Sequence, residues 1–132
     1  MKGNSAKRIV ITGMATINPL GDTLDGYVDN LLAGVSGVKR WKSLDVSGIQ
    51  CKVGGDLGDY DCDKALSTFE ADLGDTQYKK IRKLFRTATL SSKSGVLCAI
   101  GAYKDAGLFG ANIDPYRIGT LVGGHNFNSK YI

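Results

Sequence analysis

The sequence has few of the residues that mark metal sites, disulfide scaffolds or membrane spans. Among its 132 residues are one histidine, two prolines and three cysteines. The cysteines, at positions 51, 62 and 98, lack the spacing of a metal site or a redox motif. No apolar run approaches the ~20 residues of a membrane span, and no hydrophobic signal segment follows the first residues. We therefore expect a cytoplasmic protein with reduced thiols, no metal and no membrane contact.

The overall composition is that of a globular protein. Apolar residues make up 42% of the chain and charged residues 23%, which is ordinary for a folded domain. A chain of this length is one domain or part of one. The 18 glycines suit a fold with many tight turns, and the formal net charge of +4 suits an acidic partner, although a modest excess often serves solubility.

The segment Arg8–Gly21 predicts a strand followed by a turn. The β-branched residues at 9–12 favour a short, fully buried strand that ends at Gly13. Pro19 and Gly21 interrupt the chain, after which Asp22 or Thr23 is placed to cap a helix. Apolar residues then recur at helical spacing from 24 to 32, and glycines at 34 and 37 close that helix. A strand leading into a helix is typical of an α/β protein.

The rest of the chain continues the α/β pattern. Residues 41–60 predict a surface excursion with two short β-like pieces, and residues 61–76 are acidic and predict a possible surface lobe or insertion. A long helical pattern covers 76–107, where the serines at 91, 92 and 94 predict a bend, a break or close packing. Residues 117–124 predict a second buried strand that ends in a glycine pair.

Three blocks of sequence are distinctive: Arg8-Ile-Val-Ile-Thr-Gly-Met with Asn-Pro-Leu-Gly21, Leu31-Leu-Ala-Gly-Val-Ser-Gly37, and Ala102-Tyr-Lys-Asp-Ala-Gly-Leu108 followed by Arg117-Ile-Gly119. In this order they resemble the β-ketoacyl synthases, the condensing enzymes of fatty-acid and polyketide assembly. The resemblance covers almost all of residues 1–132. It implies the N-terminal portion of a ketosynthase domain, with an α/β thiolase-like αβαβα layered fold that is incomplete in this chain.

The resemblance also implies that no catalytic residue lies in this chain. The family uses a cysteine nucleophile and two histidines, which stabilise the enolate formed when a malonyl group loses carbon dioxide. These three residues come after the stretch that matches, and neither the three cysteines nor His125 corresponds to them. We expect the remainder of the synthase in the same or a second chain, assembly as a homodimer or heterodimer, and no bound cofactor. The substrates would be carried on the phosphopantetheine of an acyl carrier protein.

A basic cluster within residues 79–86 is the candidate binding surface. Cations at spacings of three and four share one face of a helix, and concentrated positive charge attracts an acidic partner. In similar bacterial synthases basic residues on this helix receive the acidic acyl carrier protein. A nucleic-acid role is disfavoured because one basic helix without interleaved aromatics matches no nucleic-acid fold. The resemblance thus implies carrier-protein docking at Lys79, Arg82 and Lys83, and the spacing adds Arg86 to the same candidate surface.

The residues after the glycine pair at 123–124 are candidates for an acyl pocket. Related enzymes continue this strand with glycines and an apolar residue of the acyl tunnel, whereas here His125, Asn126 and Phe127 follow. A polar side chain on a tunnel wall disfavours a long alkyl chain, because its amide would be unpaired against methylenes. The alternative is a local loop in which the side chains of His125 and Asn126 cap the backbone of a turn.

Several functions remain open from the sequence. The first is a synthase of fatty-acid or polyketide type. The others are a ketosynthase-like malonyl decarboxylase of a polyketide β-branching cassette and a non-catalytic partner subunit. Cysteine, serine or another residue at the nucleophile position would separate these three. A nucleotide-binding protein is disfavoured, because no glycine lies between Gly13 and Gly21 to form a phosphate-binding turn.

Overall fold

The computed structural model describes residues 8–124, and the elements lie in the order helix, two strands, three helices. A single 3-10 turn follows at Pro115–Arg117. The helices are α1 (Leu24–Leu32), α2 (Cys62–Ser67), α3 (Glu70–Phe85) and α4 (Leu90–Asp105), and the strands are β1 (Val38–Arg40) and β2 (Val53–Gly55). The mixture of helix and strand agrees with the α/β prediction. The layered thiolase-like arrangement stays a prediction, because the sheet among the described residues has only β1 and β2.

The hydrophobic core lies between α2, α3 and α4. Each helix contributes two buried side chains to one cluster, and partly buried side chains such as Ile17 and Phe69 pack around it. Burial of an apolar side chain contributes roughly 1.5–3 kcal/mol, so this cluster is the main source of stability for the helical part. Its members are Cys62, Leu66, Tyr78, Phe85, Leu97 and Ile100.

Helix α1 forms where the sequence predicts it. Thr23 is the N-cap, and its hydroxyl oxygen accepts a hydrogen bond of 3.2 Å from the Gly26 N–H. The helix ends at Gly34, whose φ of 69° is the left-handed conformation that glycine adopts most easily. The N–H groups of Gly34 and Val35 bond back to the carbonyls of Leu31 and Asn30, which is a Schellman ending. Of the two candidate caps, Thr23 is thus the one used.

The two short β-like pieces pair as an antiparallel sheet. Val38 pairs with Gly55 and Arg40 with Val53. The Asp56 carboxylate follows β2 directly and accepts hydrogen bonds from the backbone N–H groups of Lys42, at 2.7 Å, and Ser43, at 3.0 Å. The Ser43 hydroxyl also donates to it and, with these N–H groups, holds the pKa of Asp56 well below its usual range. Asp56 therefore fixes the chain after β1 to the chain after β2.

The two predicted buried strands, at 9–12 and 117–124, do not form. Residues 9–12 and 118–124 have no regular secondary structure, and Ile9 is 94% exposed and Leu121 98% exposed. Both segments contain residues that favour strands, but the prediction that they form buried strands is wrong. A strand requires a hydrogen-bonded neighbour, and no other segment within 8–124 pairs with either one.

The chain just after the first segment is instead fixed against α4. The Met14 N–H donates to the Asp105 carboxylate at 2.8 Å. Gly13 lies so close to the helix that a Cβ there would be 2.3 Å from the Ala102 carbonyl oxygen. Glycine is therefore required at position 13 for this close approach.

The long helical pattern of 76–107 divides earlier than the serines predict. The break lies at residues 86–89, and Thr89 is the N-cap of α4, with its hydroxyl oxygen accepting from the Ser92 N–H at 3.3 Å. Ser91 and Ser94 lie inside the helix, where the Ser94 hydroxyl donates to the Ser91 carbonyl. The serine cluster thus follows the break, because a threonine before it supplies the cap.

Residues 61–76 comprise α2 and the first part of α3. Cys62 and Leu66 of this segment belong to the hydrophobic core, and the Asp61 carboxylate caps α2 by accepting from the N–H groups of Asp63 and Lys64. Whether the segment is an insertion relative to other family members stays a prediction. Among residues 8–124, no helix combines the length and apolar character needed to cross a bilayer.

Candidate functional site: a basic face on helix α3

The basic face of α3 is formed by the four predicted cations. All four side chains are exposed, and together they line a shallow groove of about 270 Å³. Because successive helical residues are 100° apart, these positions lie within one third of the helix circumference. The structure therefore brings the whole predicted set together. The basic face consists of Lys79, Arg82, Lys83 and Arg86.

The opposite side of the same helix holds the basic face in place. Tyr78 and Phe85 are buried in the core, and Lys93 of α4 lies 5.7 Å from the centre of the Phe85 ring. The Lys93 ammonium is also 3.7 Å from the Asp63 carboxylate of α2. Packing against both neighbouring helices thus fixes the rotation of α3 that turns the cations outward.

The segment that carries the basic face begins at a kink. Gly74 has φ 67° and ψ 160°, a conformation essentially restricted to glycine, and it interrupts the helical geometry of α3. Residues before it are bound to α4, since the Asp72 carboxylate lies 2.6 Å from the Lys104 ammonium. Residues 75–85 therefore form a separate helical segment whose direction is set at Gly74.

Two contacts orient individual cations. The Lys79 ammonium lies 2.6 Å from the Asp75 carboxylate one turn earlier, and both side chains are largely exposed, so this pair contributes little to stability. The Arg82 guanidinium lies 5.8 Å from the centre of the Tyr78 ring, in reach of a cation–π interaction. Asp75 is the only acidic side chain paired with the basic face among the described residues. The face therefore presents a net positive surface.

Leu84 is exposed, whereas Ile81 and Phe85 on the same helix pack in or against the core. Its side chain is 67% exposed, whereas Phe85 is 2% exposed. The reason is angular: Leu84 lies 100° from Phe85 around the helix, on the side of Lys80 one turn earlier. Helical periodicity alone contains this signal, because residues 78, 81 and 85 define the buried side without 84.

The three cysteines are free thiols. Cys51 is exposed in the excursion, Cys62 is buried in the core and Cys98 is partly buried within α4. Burial raises the pKa of the Cys62 and Cys98 thiols, so both are protonated at neutral pH, and a protonated thiol is a poor nucleophile.

The predicted acyl-pocket residues His125, Asn126 and Phe127 lie outside the described residues. Their assignment to a tunnel wall stays a prediction. The segment before them, 120–123, lies with residues of α4 around an open cavity of about 500 Å³.

Comparison with known proteins places the chain in a family. The family model described as the N-terminal domain of β-ketoacyl synthase matches residues 6–131. A protein of Synechocystis named 3-oxoacyl-[acyl-carrier-protein] synthase 2 is 29% identical over 117 residues, or 89% of this chain and 25% of that protein. Proteins of the same name from Vibrio cholerae and Coxiella burnetii are 28% and 31% identical, over 90% and 89% of this chain.

This chain spans about a quarter of the length of those relatives. No solved structure shows a significant match to it. The family match covers every described residue, including all four helices and the basic face. The chain belongs to the β-ketoacyl synthase family and corresponds to an N-terminal portion of such a synthase.

Proposed function

We propose that this chain is the N-terminal part of an enzyme that acts on acyl and malonyl groups held by an acyl carrier protein, and that the basic face of α3 is where this carrier docks. The single observation that carries the docking proposal is the face itself. Its four exposed cations line one groove on a helix whose other side is buried. The relatives are named for synthesis on an acyl carrier protein, which supports the same partner.

The charge arrangement supports an acidic protein as the partner. Surface cations spaced one turn apart attract carboxylates at long range and accelerate encounter. Each exposed pair contributes only ~0.2–1 kcal/mol, so binding would require several pairs at once. A protein that presents several carboxylates on one surface satisfies this requirement, and an isolated small anion does not.

A purely structural role for the cations accounts for only part of the pattern. Arg82 and Lys83 lie in the last turn of α3, where positive charge is favourable beside the helix C-terminus. Lys79 lies about two turns before that end, beyond the reach of this effect. The full set of four on one side is therefore better explained by an external partner.

The proposed chemistry is thioester transfer, decarboxylation of a malonyl group and carbon–carbon condensation. A thiolate accepts the acyl group from the carrier, and preorganised hydrogen-bond donors stabilise the enolate formed as carbon dioxide leaves. In this proposal the present chain supplies the docking surface for the carrier, and the rest of the enzyme supplies the catalytic residues. The names of the relatives favour a fatty-acid type of synthase over a polyketide type.

The sequence Gly123-Gly-His-Asn-Phe127 favours a second candidate. A polar Asn126 at an acyl tunnel disfavours a long alkyl chain, which is compatible with a short or polar acyl group. Such a substrate fits a ketosynthase-like malonyl decarboxylase. A non-catalytic partner subunit would likewise tolerate a polar residue at position 126. Carrier docking is common to the synthase and decarboxylase proposals.

Titration of the chain with a purified acyl carrier protein tests the docking proposal. We expect saturable binding at about 50 mM salt and a clear loss of affinity at about 300 mM, because the Debye length falls from ~14 Å to below ~6 Å over that range. Fluorescence anisotropy of a labelled carrier provides the measurement. Absence of binding at low salt, with the helical circular-dichroism signal intact, would contradict the proposal.

A further inference from the structure

One acidic side chain lies on the basic face itself. The Asp75 carboxylate is 2.6 Å from the Lys79 ammonium, and both side chains are largely exposed, at 74% and 71%. At 100° per residue, position 75 lies about 30° from the mean direction of the four cations, within the sector that they cover. Asp75 therefore holds, beside Lys79, the place that a carboxylate of an external partner would take.

The stability of α3 explains only part of this placement. Asp75 follows the kink at Gly74 and lies in the first turn of the segment 75–85, where a carboxylate is favourable beside the helix N-terminus. Position 77 lies in the same turn but points away from the cations, and a carboxylate there would serve the N-terminus as well. That position holds Gln77, so the acidic residue of this turn is the one in contact with the basic face.

We propose that Asp75 is an autoinhibitory contact of the docking surface, which occupies Lys79 in the free chain and competes with the carboxylates of the acidic carrier protein; this rests on the proposed docking function. Docking then requires Lys79 to exchange Asp75 for a carboxylate of the carrier, and that exchange lowers the net gain from this cation. Affinity differences between related complexes lie mostly in the dissociation rate. Asp75 thus favours release of the carrier.

The test measures the Kd of the carrier for Asp75→Asn in the anisotropy titration. Asparagine has nearly the shape of aspartate without its charge, so we expect binding about threefold tighter at about 50 mM salt, the size of one exposed ion pair. The difference should shrink at about 300 mM salt, where exposed charges are screened. Asp75→Glu keeps a carboxylate within reach of Lys79 and should bind like the unchanged chain.

Asp25→Asn is the matched control for net charge. Asp25 is an exposed aspartate in the first turn of α1, and within residues 8–124 it belongs to none of the ion pairs. Its substitution changes the net charge by the same amount as Asp75→Asn, and its Kd should equal that of the unchanged chain. Equal tightening by both substitutions would mean that binding follows net charge, and the proposal would be wrong.

A second comparison isolates the competition for Lys79. In a chain that also carries Lys79→Ala, Asp75→Asn should lose most of its effect, because the contested cation is absent. An undiminished gain in that chain would show general repulsion by Asp75 and overturn the proposal. If Asp75→Asn leaves Kd unchanged while Lys79→Ala weakens binding, Asp75 does not compete and carrier docking stands. If neither the unchanged chain nor Asp75→Asn binds the carrier at low salt, the docking function fails as well.

Discussion

Reversing the charges of Lys79, Arg82 and Lys83 together should weaken binding of the acyl carrier protein by about 30- to 100-fold at low salt. Each exposed ion pair contributes ~0.2–1 kcal/mol, and reversal replaces attraction by repulsion of similar size. Three such changes amount to about 2–3 kcal/mol, and each 1.4 kcal/mol is tenfold in Kd. The variant Lys79→Glu/Arg82→Glu/Lys83→Glu is measured by anisotropy at about 50 mM salt.

A second triple variant separates the basic face from net charge. Lys39, Arg40 and Lys42 are exposed on and just after β1, away from α3 in the chain. Reversing them changes the net charge by the same amount as reversing the α3 residues. We expect this control to weaken binding less than about threefold, because these charges are not part of the basic face and exposed charges outside an interface are screened by salt. Equal losses in the two variants would mean that binding follows net charge, contrary to a defined docking surface.

Phe85→Ala should lower the free energy of unfolding by about 3–5 kcal/mol, the range for truncation of a buried phenylalanine. Phe85 is 2% exposed and belongs to the cluster shared by α2, α3 and α4. The substitution also removes the ring beside the Lys93 ammonium. Because a small domain has only about 5–15 kcal/mol in total, much of the chain should be unfolded in mild urea.

The neighbouring substitution Leu84→Ala is the control for stability. Its side chain is largely exposed, so we expect the urea midpoint to change little, as for most surface substitutions. Circular dichroism during urea titration measures both variants. A Phe85→Ala variant as stable as the unchanged chain would show that α3 is not fixed by this side chain, and the orientation of the basic face would then need another explanation.

Local features were predictable where the determining contacts lie close in sequence. The span of α1, its cap at Thr23 and its ending at Gly34 follow from neighbours within a few residues. The basic face was predictable for the same reason, since its members are three and four apart on one helix.

Features that depend on distant segments were not predictable in this way. The β-branched residues at 9–12 predict a buried strand, but pairing requires another strand, and none within 8–124 provides it. The close approach of Gly13 to α4 joins positions about 90 residues apart, which periodicity does not show. The kink at Gly74 likewise depends on how residues before it are bound to α4 through Asp72 and Lys104.

Chemical-shift mapping of the isotopically labelled chain with an unlabelled acyl carrier protein tests the central claim most directly. The account predicts that amide shifts change in residues 79–86 and stay constant in residues 38–42, the basic segment on and just after β1. The shifts at 79–86 should return toward their free values at about 300 mM salt. Changes centred on 38–42, or changes absent from 79–86 at saturating carrier, would contradict a docking surface on α3.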